Sequence, residues 1–433
     1  MKNRHLKFAS LFLAVGAAPL THAAVDWSSQ AYDLYFGDFN GDQRSDLLYV
    51  AKSPAGASGV DLSDGISPNI PVQSWSSSYL GIPWSGNQYV VTVADFNGDQ
   101  RADLLLQKKS SGDSYLLFAN AQGKFVAIDQ TIGNNTAGVT WSADQHRIVA
   151  GDFNADGKAD VFLQATSSSG LNAVIFADGN GKFTAGSPHQ SWNEGFLGLK
   201  WSTPSAHVYA GNFDGAGGAD LLIQARPSFV MIDYEIPFPV PTYPANMNGL
   251  LRAQSTSPVF QLSGLQAWSR NAFGVDWSPL TAEVILGEFN GDGRSDVLLQ
   301  GKSTGKPSYL LTGNASGSAF SNGTQLASNV TWTADTYKLS AQNFSGAGGG
   351  SGVYFQGLTS ATSNLYANNV TAASVVTFTN SPTLAATLID YSYDALGRLV
   401  TVARSGAASN NGQTTYVYDA AGNRTTVTSV VTP

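Results

Sequence analysis

No cysteine occurs in the 433-residue chain, which excludes a disulfide framework and a lipid anchor on a terminal cysteine. Histidine is nearly as scarce: His5 and His22 fall in the first 23 residues, leaving only His146, His189 and His207, at different phases of the repeat described below. With no H-E-x-x-H, and with Glu194, Glu235 and Glu283 scattered, little is on offer for catalysis, and an enzyme is not expected. Charged residues make up only 12% of the chain, and acids outnumber bases 31 to 23. The formal charge is -8, or -11 without the three bases of the first 23 residues, a balance that disfavours nucleic acid or an anionic membrane surface as partner. Past the first 23 residues no segment reaches the roughly 20 apolar residues of a spanning helix, so no membrane span is expected.

Those first residues read as a secretory signal, 1–23. Lys2, Arg4 and Lys7 precede an apolar stretch from Phe8 to Leu20 and the small-residue site Thr21-His22-Ala23. The expected destination is outside the cytoplasm: extracellular, cell-surface or periplasmic. The rest is rich in the 46 glycines that tight turns use, and 42% hydrophobic residues suffice for a large core.

One pattern recurs six times: GDFNGDQRSDLL at 37–48, ADFNGDQRADLL at 94–105, GDFNADGKADVF at 151–162, GNFDGAGGADLL at 211–222, GEFNGDGRSDVL at 287–298 and QNFSGAGGGSGV at 342–353. Trp27, Trp84, Trp141, Trp201, Trp277 and Trp332 each stand 11 residues before the first loop position, and Trp75, Trp192 and Trp268 stand nine before one of these. All nine tryptophans therefore share the phase of the loops and are expected to pack blade against blade. Each unit reads as β throughout: a short strand entering the loop, an apolar run such as Asp103-Leu-Leu-Leu-Gln107 suited to burial on both faces, then a hairpin with Asn or Asp and Gly turn chemistry. Four strands in about 57 residues is the size of a propeller blade, and radial closure removes exposed sheet edges. The expected fold is all-β: a six-bladed, alternatively seven-bladed, β-propeller over 25–380. The proline-rich stretch 236–258 is expected to loop off the disc as an insertion.

Within the loop, oxygen side chains at positions one, three, five and nine, with a backbone carbonyl at seven, make the hard-oxygen cage that calcium prefers. Copy one supplies Asp38, Asn40, Asp42, Arg44 (backbone) and Asp46; copy two, Asp95, Asn97, Asp99, Arg101 (backbone) and Asp103. Copy three supplies Asp152, Asn154, Asp156, Lys158 (backbone) and Asp160; copy five, Glu288, Asn290, Asp292, Arg294 (backbone) and Asp296. Copy four keeps only Asn212, Asp214 and Asp220, and is expected to bind weakly or not at all. Copy six, with Asn343, Ser345, Ala347 and Ser351 at those positions, has no carboxylate and is expected to be a turn only. Fourteen of the 31 acids lie in these loops, and the absence of sulfur and histidine there argues against zinc.

These loops resemble the FG-GAP or VCBS-type repeat of integrin α-subunit propellers and many secreted bacterial proteins. The resemblance implies a loop joining the first two strands of a blade and holding calcium structurally. A second resemblance lies at 388–433. Tyr391-Ser-Tyr393-Asp394-Ala-Leu-Gly397-Arg398-Leu399 and Tyr416-Val-Tyr418-Asp419-Ala-Ala-Gly422-Asn423-Arg424 look like two YD repeats of the Rhs family, each a strand, a tight turn and a returning strand. A propeller followed by YD repeats resembles the SpvB-like part of Tc toxin complexes and other large secreted Rhs proteins, so part or a remnant of such a protein is one expectation. The function expected is a calcium-stabilised scaffold for a protein partner. A lectin-like module that binds glycan is the alternative.

Overall fold

The computed structural model describes residues 27–359 apart from breaks at 66–67, 85–87, 185, 187, 233–237, 243–247, 255–258, 315–318, 327–332, 345 and 347–349; beyond 359 it describes the strands 365–367, 378–379, 388–393, 399–405, 411–418 and 424–432. The expected signal, 1–23, lies outside the described residues, as do Trp332, Ser345 and Ala347.

The repeat units fold as successive four-stranded antiparallel meanders. The first blade runs Tyr32–Gly37, Asp46–Ala51, Ser58–Ser63, Pro68–Trp75, and the second Tyr89–Ala94, Asp103–Lys108, Ser114–Leu117, Gln130–Ile132. The third is His146–Gly151, Asp160–Ala165, Asn172–Ile175, Gln190–Trp192; the fourth Ala206–Gly211, Asp220–Ala225, Asn248–Leu251, Leu265–Trp268; the fifth Ala282–Gly287, Asp296–Gly301, Tyr309–Leu311, Thr324–Gln325. Every second strand is the apolar run that follows a loop, and in the third blade all six of its residues are buried. Burial on both faces follows because the sheet is sandwiched between two neighbours. Phe96 and Leu105 of the second blade pack with Trp141, Val161 and Phe183 of the third, and Val149 and Phe162 of the third with Trp201 and Leu221 of the fourth.

Tryptophan occupies these junctions, as its phase implied. Trp141, Trp201 and Trp277 are fully buried, and each satisfies its indole N–H on the carbonyl five residues upstream, Thr136, Phe196 and Ala272, at 2.8, 2.9 and 3.2 Å. Outer-strand glutamines add a clasp between blades. Gln73 and Gln190 each donate to and accept from the backbone of a phenylalanine in the next blade, Phe125 (2.9 and 2.9 Å) and Phe260 (2.7 and 2.9 Å), and Gln130 does the same with Phe183.

Five units are blades of this kind, where six or seven were expected. In each, the residue before the loop pairs with the aspartate at position nine: Gly37 with Asp46, Ala94 with Asp103, Gly151 with Asp160, Gly211 with Asp220, Gly287 with Asp296. In the last unit Gln342 pairs instead with Gly352, one residue later. Its loop is one residue longer, Ser351 takes the place that Ser45 and Ser295 hold, and a glycine stands where the blades carry aspartate. That unit, Tyr337–Gln342, Gly352–Gly357, Leu365–Ala367 and Phe378–Thr379, is a closing sheet rather than a sixth copy. It joins the fifth blade to the first: Gln356 Nε2 reaches the Trp27 carbonyl at 3.1 Å, as Gln107 Nε2 reaches that of Trp141 at 2.9 Å, and Phe344 and Tyr354 bury against Leu34 and Leu47.

The excursion in the fourth unit both begins and ends earlier than 236–258. Ser228–Ile232 pairs with Phe238–Thr242 in a separate two-stranded ribbon, where Pro239 and Pro241 need no inner ladder bond, and Asn248–Leu251 returns as the third strand of the blade. At the C-terminal end Leu388–Tyr393, Leu399–Ser405, Asn411–Tyr418 and Arg424–Thr432 pair in sequence order. The Asp-x-x-Gly turns of the two suggested YD repeats, 394–398 and 419–423, lie outside the described residues.

Candidate functional site: the acidic loops

Each loop is a tight double turn wound on its own side chains. In the first, Asp38 Oδ1 accepts the N–H of Gly41 and Asp42 at 2.6 and 3.1 Å, and its Oδ2 that of Gln43 at 2.6 Å. Asn40 Oδ1 accepts the Asp42 N–H and Asp42 Oδ1 the Arg44 N–H, both at 3.0 Å. Asp95, Asn97 and Asp99 repeat the pattern, as do Asp152, Asn154 and Asp156, and Glu288, Asn290 and Asp292. Copy four retains a reduced version, with Asn212 accepting from Gly215 and Asp214 from Ala216, each at 2.8 Å. Such a winding puts positions four and six in the left-handed region. Glycine holds most of these, but Gln43, Gln100 and Ala155 adopt φ of 66°, 65° and 59°.

The side chain at position seven, read only as a backbone ligand, folds onto the carboxylate at five. Arg44 lies 3.7 Å from Asp42, Lys158 3.8 Å from Asp156 and Arg294 2.5 Å from Asp292, and Arg101 pairs with Asp99. In copy four, where position seven is Gly218, Asp214 finds Arg252 at 3.7 Å instead.

Position nine behaves differently from the rest. Asp46, Asp103, Asp160, Asp220 and Asp296 are at most 1% exposed, and both oxygens of each are taken by backbone N–H groups. Oδ2 accepts from the phenylalanine at position two (Phe39, Phe96, Phe153, Phe213, Phe289) at 2.8–3.0 Å. Oδ1 accepts from the far end of the third strand or just past it (Ser63, Ala119, Ala177, Ala253, Gly313) at 2.8–2.9 Å. The carboxylate thus clasps the innermost hairpin to the rest of its blade. Burial pushes these carboxyls up, to about 7 for Asp46, Asp160 and Asp220, about 8 for Asp103 and about 6 for Asp296, against the pull of the two N–H donors. The clasp was missed in the sequence, although it left a signal: copy four lost the acids at positions one and five and kept Asp220.

The donor set is all hard oxygen, which suits calcium. The arrangement keeps positions one, three and five on the turn and commits position nine beneath it; among the described residues no three acidic, cysteine or histidine side chains gather as a metal cluster. Neighbouring loops are linked. The N–H at position eight of each blade donates to the carbonyl at position one of the preceding unit: Ala102 to Asp38 at 2.6 Å, Ala159 to Asp95 at 2.7 Å, Ala219 to Asp152 at 2.6 Å and Ser295 to Asn212 at 2.7 Å. Ser351 to Glu288 and Ser45 to Asn343, the latter at 2.6 Å, complete the circle. A Cβ added to Gly37 would come 2.6 Å from that of Ala102, which accounts for the small residue before each loop.

Elsewhere the histidines are spread out. Both ring nitrogens of His146 face carbonyl oxygens, of Thr140 and Leu171, and His189 stacks on Phe176 at 3.9 Å. One G-x-S-x-G string, Gly301 to Gly305, went unnoticed in the sequence; it sits in the turn after Asp296–Gly301 rather than between a strand and a helix, and among the described residues no histidine or acid bonds the Ser303 hydroxyl. A small cleft of about 30 Å³ between the first and second blades is lined by Asp33, Tyr35, Lys52, Trp84, Gln88 and Tyr89. No described helix is long and apolar enough to cross a membrane.

Residues 95–163, spanning the second and third loops, match the FG-GAP-like repeat family, so the chain contains an FG-GAP-like repeat within a β-propeller. No curated protein matches the chain. Among solved structures, a lectin from Agrocybe aegerita that recognises non-reducing terminal N-acetylglucosamine is 15% identical, with 82% of this chain and 81% of the lectin covered and a TM-score of 0.51. The Tc holotoxin pore of Photorhabdus luminescens is 13% identical, with 92% of this chain but 18% of the toxin chain covered and a TM-score of 0.49. A rhamnogalacturonan lyase of Bacillus licheniformis is 11% identical, with 93% and 76% covered, at a TM-score of 0.29. At 15% identity the likeness to the lectin is one of fold alone.

Proposed function

We propose that the protein is an exported, non-enzymatic interaction scaffold whose acidic loops take calcium, and that its partner is a protein. The observation that carries this reading is the repetition of one acidic turn in four blades, with oxygen side chains at positions one, three and five, on a fold whose loops are linked into a circle. Asp38, Asn40 and Asp42 and their counterparts in the second, third and fifth blades would hold the ion; Asn212 and Asp214 of the fourth form the weak or lost copy. Bound calcium supplies positive charge to loops that concentrate acids, and in a chain without cysteine it takes the stabilising place of disulfides. At millimolar calcium and a dissociation constant near 0.1 mM each filled loop adds on the order of 1.4 kcal/mol, and four roughly 5–6 kcal/mol. The test is a thermal melt in calcium and in chelator: the midpoint is expected to fall in chelator, and an unchanged midpoint rejects calcium.

A glycan is the second reading, favoured by the mixed aromatic and polar surface between the first two blades, where Tyr35 and Tyr89 stand beside Asp33, Lys52 and Gln88. The lectin of similar fold binds sugar. A glycan array in calcium separates the two, since the scaffold reading expects no bound glycan. Identity of 388–433 as YD repeats, and descent from an Rhs or Tc-type toxin, belong to the same proposal. Further YD repeats encoded after codon 433 support them, and an unrelated gene there counts against them.

A further inference from the structure

The innermost strands place one residue at the same height in every unit, five before the loop: Asp33, Val90, Arg147, His207, Glu283 and Lys338. This level lies about 16 Å along the strand from the acidic turns, at the opposite mouth of the axis. Around the third, fourth and fifth blades it is cationic. Arg147 crosses to the fourth blade, donating through Nη1 to the Val208 carbonyl at 2.9 Å and to Gln164 Oε1 at 3.3 Å, with its guanidinium 5.8 Å from the Tyr209 ring centre. His207 lies 6.4 Å from the same ring, and among the described residues its imidazole makes no hydrogen bond. Arg226 is exposed and reaches only the Thr203 carbonyl, at 3.0 Å. Lys302 stands 3.4 Å from Glu283, the one acid at this height among the described first strands of the third to fifth blades. Three fixed cations against one carboxylate leave about +2 in a chain whose net charge is -8. Burial first, and then Arg226, Arg147 and Lys302, hold the His207 imidazole down to about 4.

We infer that Arg147, His207, Arg226 and Lys302 form a binding site for the oxyanion group of a small ligand, a carboxylate or a sulfate, at the mouth opposite the acidic loops. A guanidinium fork suits the planar two-oxygen edge of such a group, Arg147 is kept in place by its bonds to Val208 and Gln164, and neutral His207 offers a donor without adding charge. The site is independent of the calcium reading, since it shares no residue with the loops.

Titration calorimetry with glucuronate, glucose 6-sulfate and neutral glucose, in calcium buffer at low ionic strength, tests it. One or both anions are expected to bind at least tenfold more tightly than glucose, and whichever binds identifies carboxylate or sulfate as the group. Arg226→Gln, an exposed change, is expected to weaken that binding about tenfold. Arg147→Lys, which keeps the charge and loses the planar fork, is expected to weaken it by a similar factor, and Lys124→Gln in a distant hairpin to leave it unchanged. Anions binding no better than glucose, or the same affinity in Arg226→Gln and Arg147→Lys as in the unaltered protein, overturns the inference.

Discussion

Replacing Asp103 tests whether position nine is a clasp or a metal ligand. The side chain is fully buried, with Oδ2 on the Phe96 N–H at 3.0 Å and Oδ1 on the Ala119 N–H at 2.9 Å. Asp103→Ala leaves two buried donors without partners, at about 1–3 kcal/mol each, so a loss of about 2–6 kcal/mol is expected. Asp103→Asn keeps one acceptor and turns an amide N–H toward the other donor, so about half that loss is expected. Asp99→Asn removes a charge from the turn, where the carboxylate is part-exposed and paired with Arg101, and should cost less than about 1 kcal/mol. The comparison belongs in chelator, where a residue acting only through calcium has nothing to lose. Urea unfolding followed by tryptophan fluorescence and by circular dichroism gives the free energies if the two transitions coincide. Should Asp103→Ala in chelator cost no more than Asp99→Asn, the clasp is refuted.

Three further outcomes are expected. Ala155→Gly, at φ 59°, should raise stability by about 0.5–1 kcal/mol by relieving a left-handed alanine, read as a higher melting midpoint. Gln190→Ala removes both bonds to the Phe260 backbone and should cost about 1–3 kcal/mol in urea, whereas loss of an exposed glutamine should be neutral. Asp61 shares in a pH dependence with the five buried carboxyls at position nine: burial raises its carboxyl to about 7 and Oδ1 has no partner, so the folded chain keeps a proton that the unfolded chain releases near 4. Its contribution is therefore full below about pH 4 and is lost as pH rises through about 7, and Asp61→Asn should remove its share of the fall in melting midpoint between pH 5 and 8, leaving the rest to the position-nine carboxyls.

The repeat was legible because its signals are local: nine loop residues and a tryptophan at fixed spacing need no knowledge of distant partners. The β class, the strands on either side of each loop and the packing role of the tryptophans follow from that. What the sequence hid depends on register and on contacts between units. Ser351 aligns with aspartate when residues are counted from Asn343, yet the ladder pairs Gln342 with Gly352, and one added residue in a glycine-rich turn cannot be placed by counting. That slip lies behind the expected count of six or seven blades where five are found. The carboxylate at nine groups in the sequence with the side-chain oxygens at one, three and five because all are nearby oxygen donors, and its burial beneath the turn is what separates it from them. The glutamine clasps join residues 52 to 70 positions apart with no motif to mark them.

The bond from Gln356 to Trp27 spans 329 residues, and with Ser45 to Asn343 it closes the circle without a covalent link. A ribosome adding roughly 5–20 residues per second takes on the order of 15–65 s to make the intervening chain. Through that interval the first blade has no neighbour on one side, and Phe36, which finally rests 5.1 Å from the ring of Tyr354, faces whatever else is within reach. Among the contacts that join one blade to the next the seam is thus the last to form in synthesis, and it is where a folding helper, or a second unfinished chain, would have its opportunity.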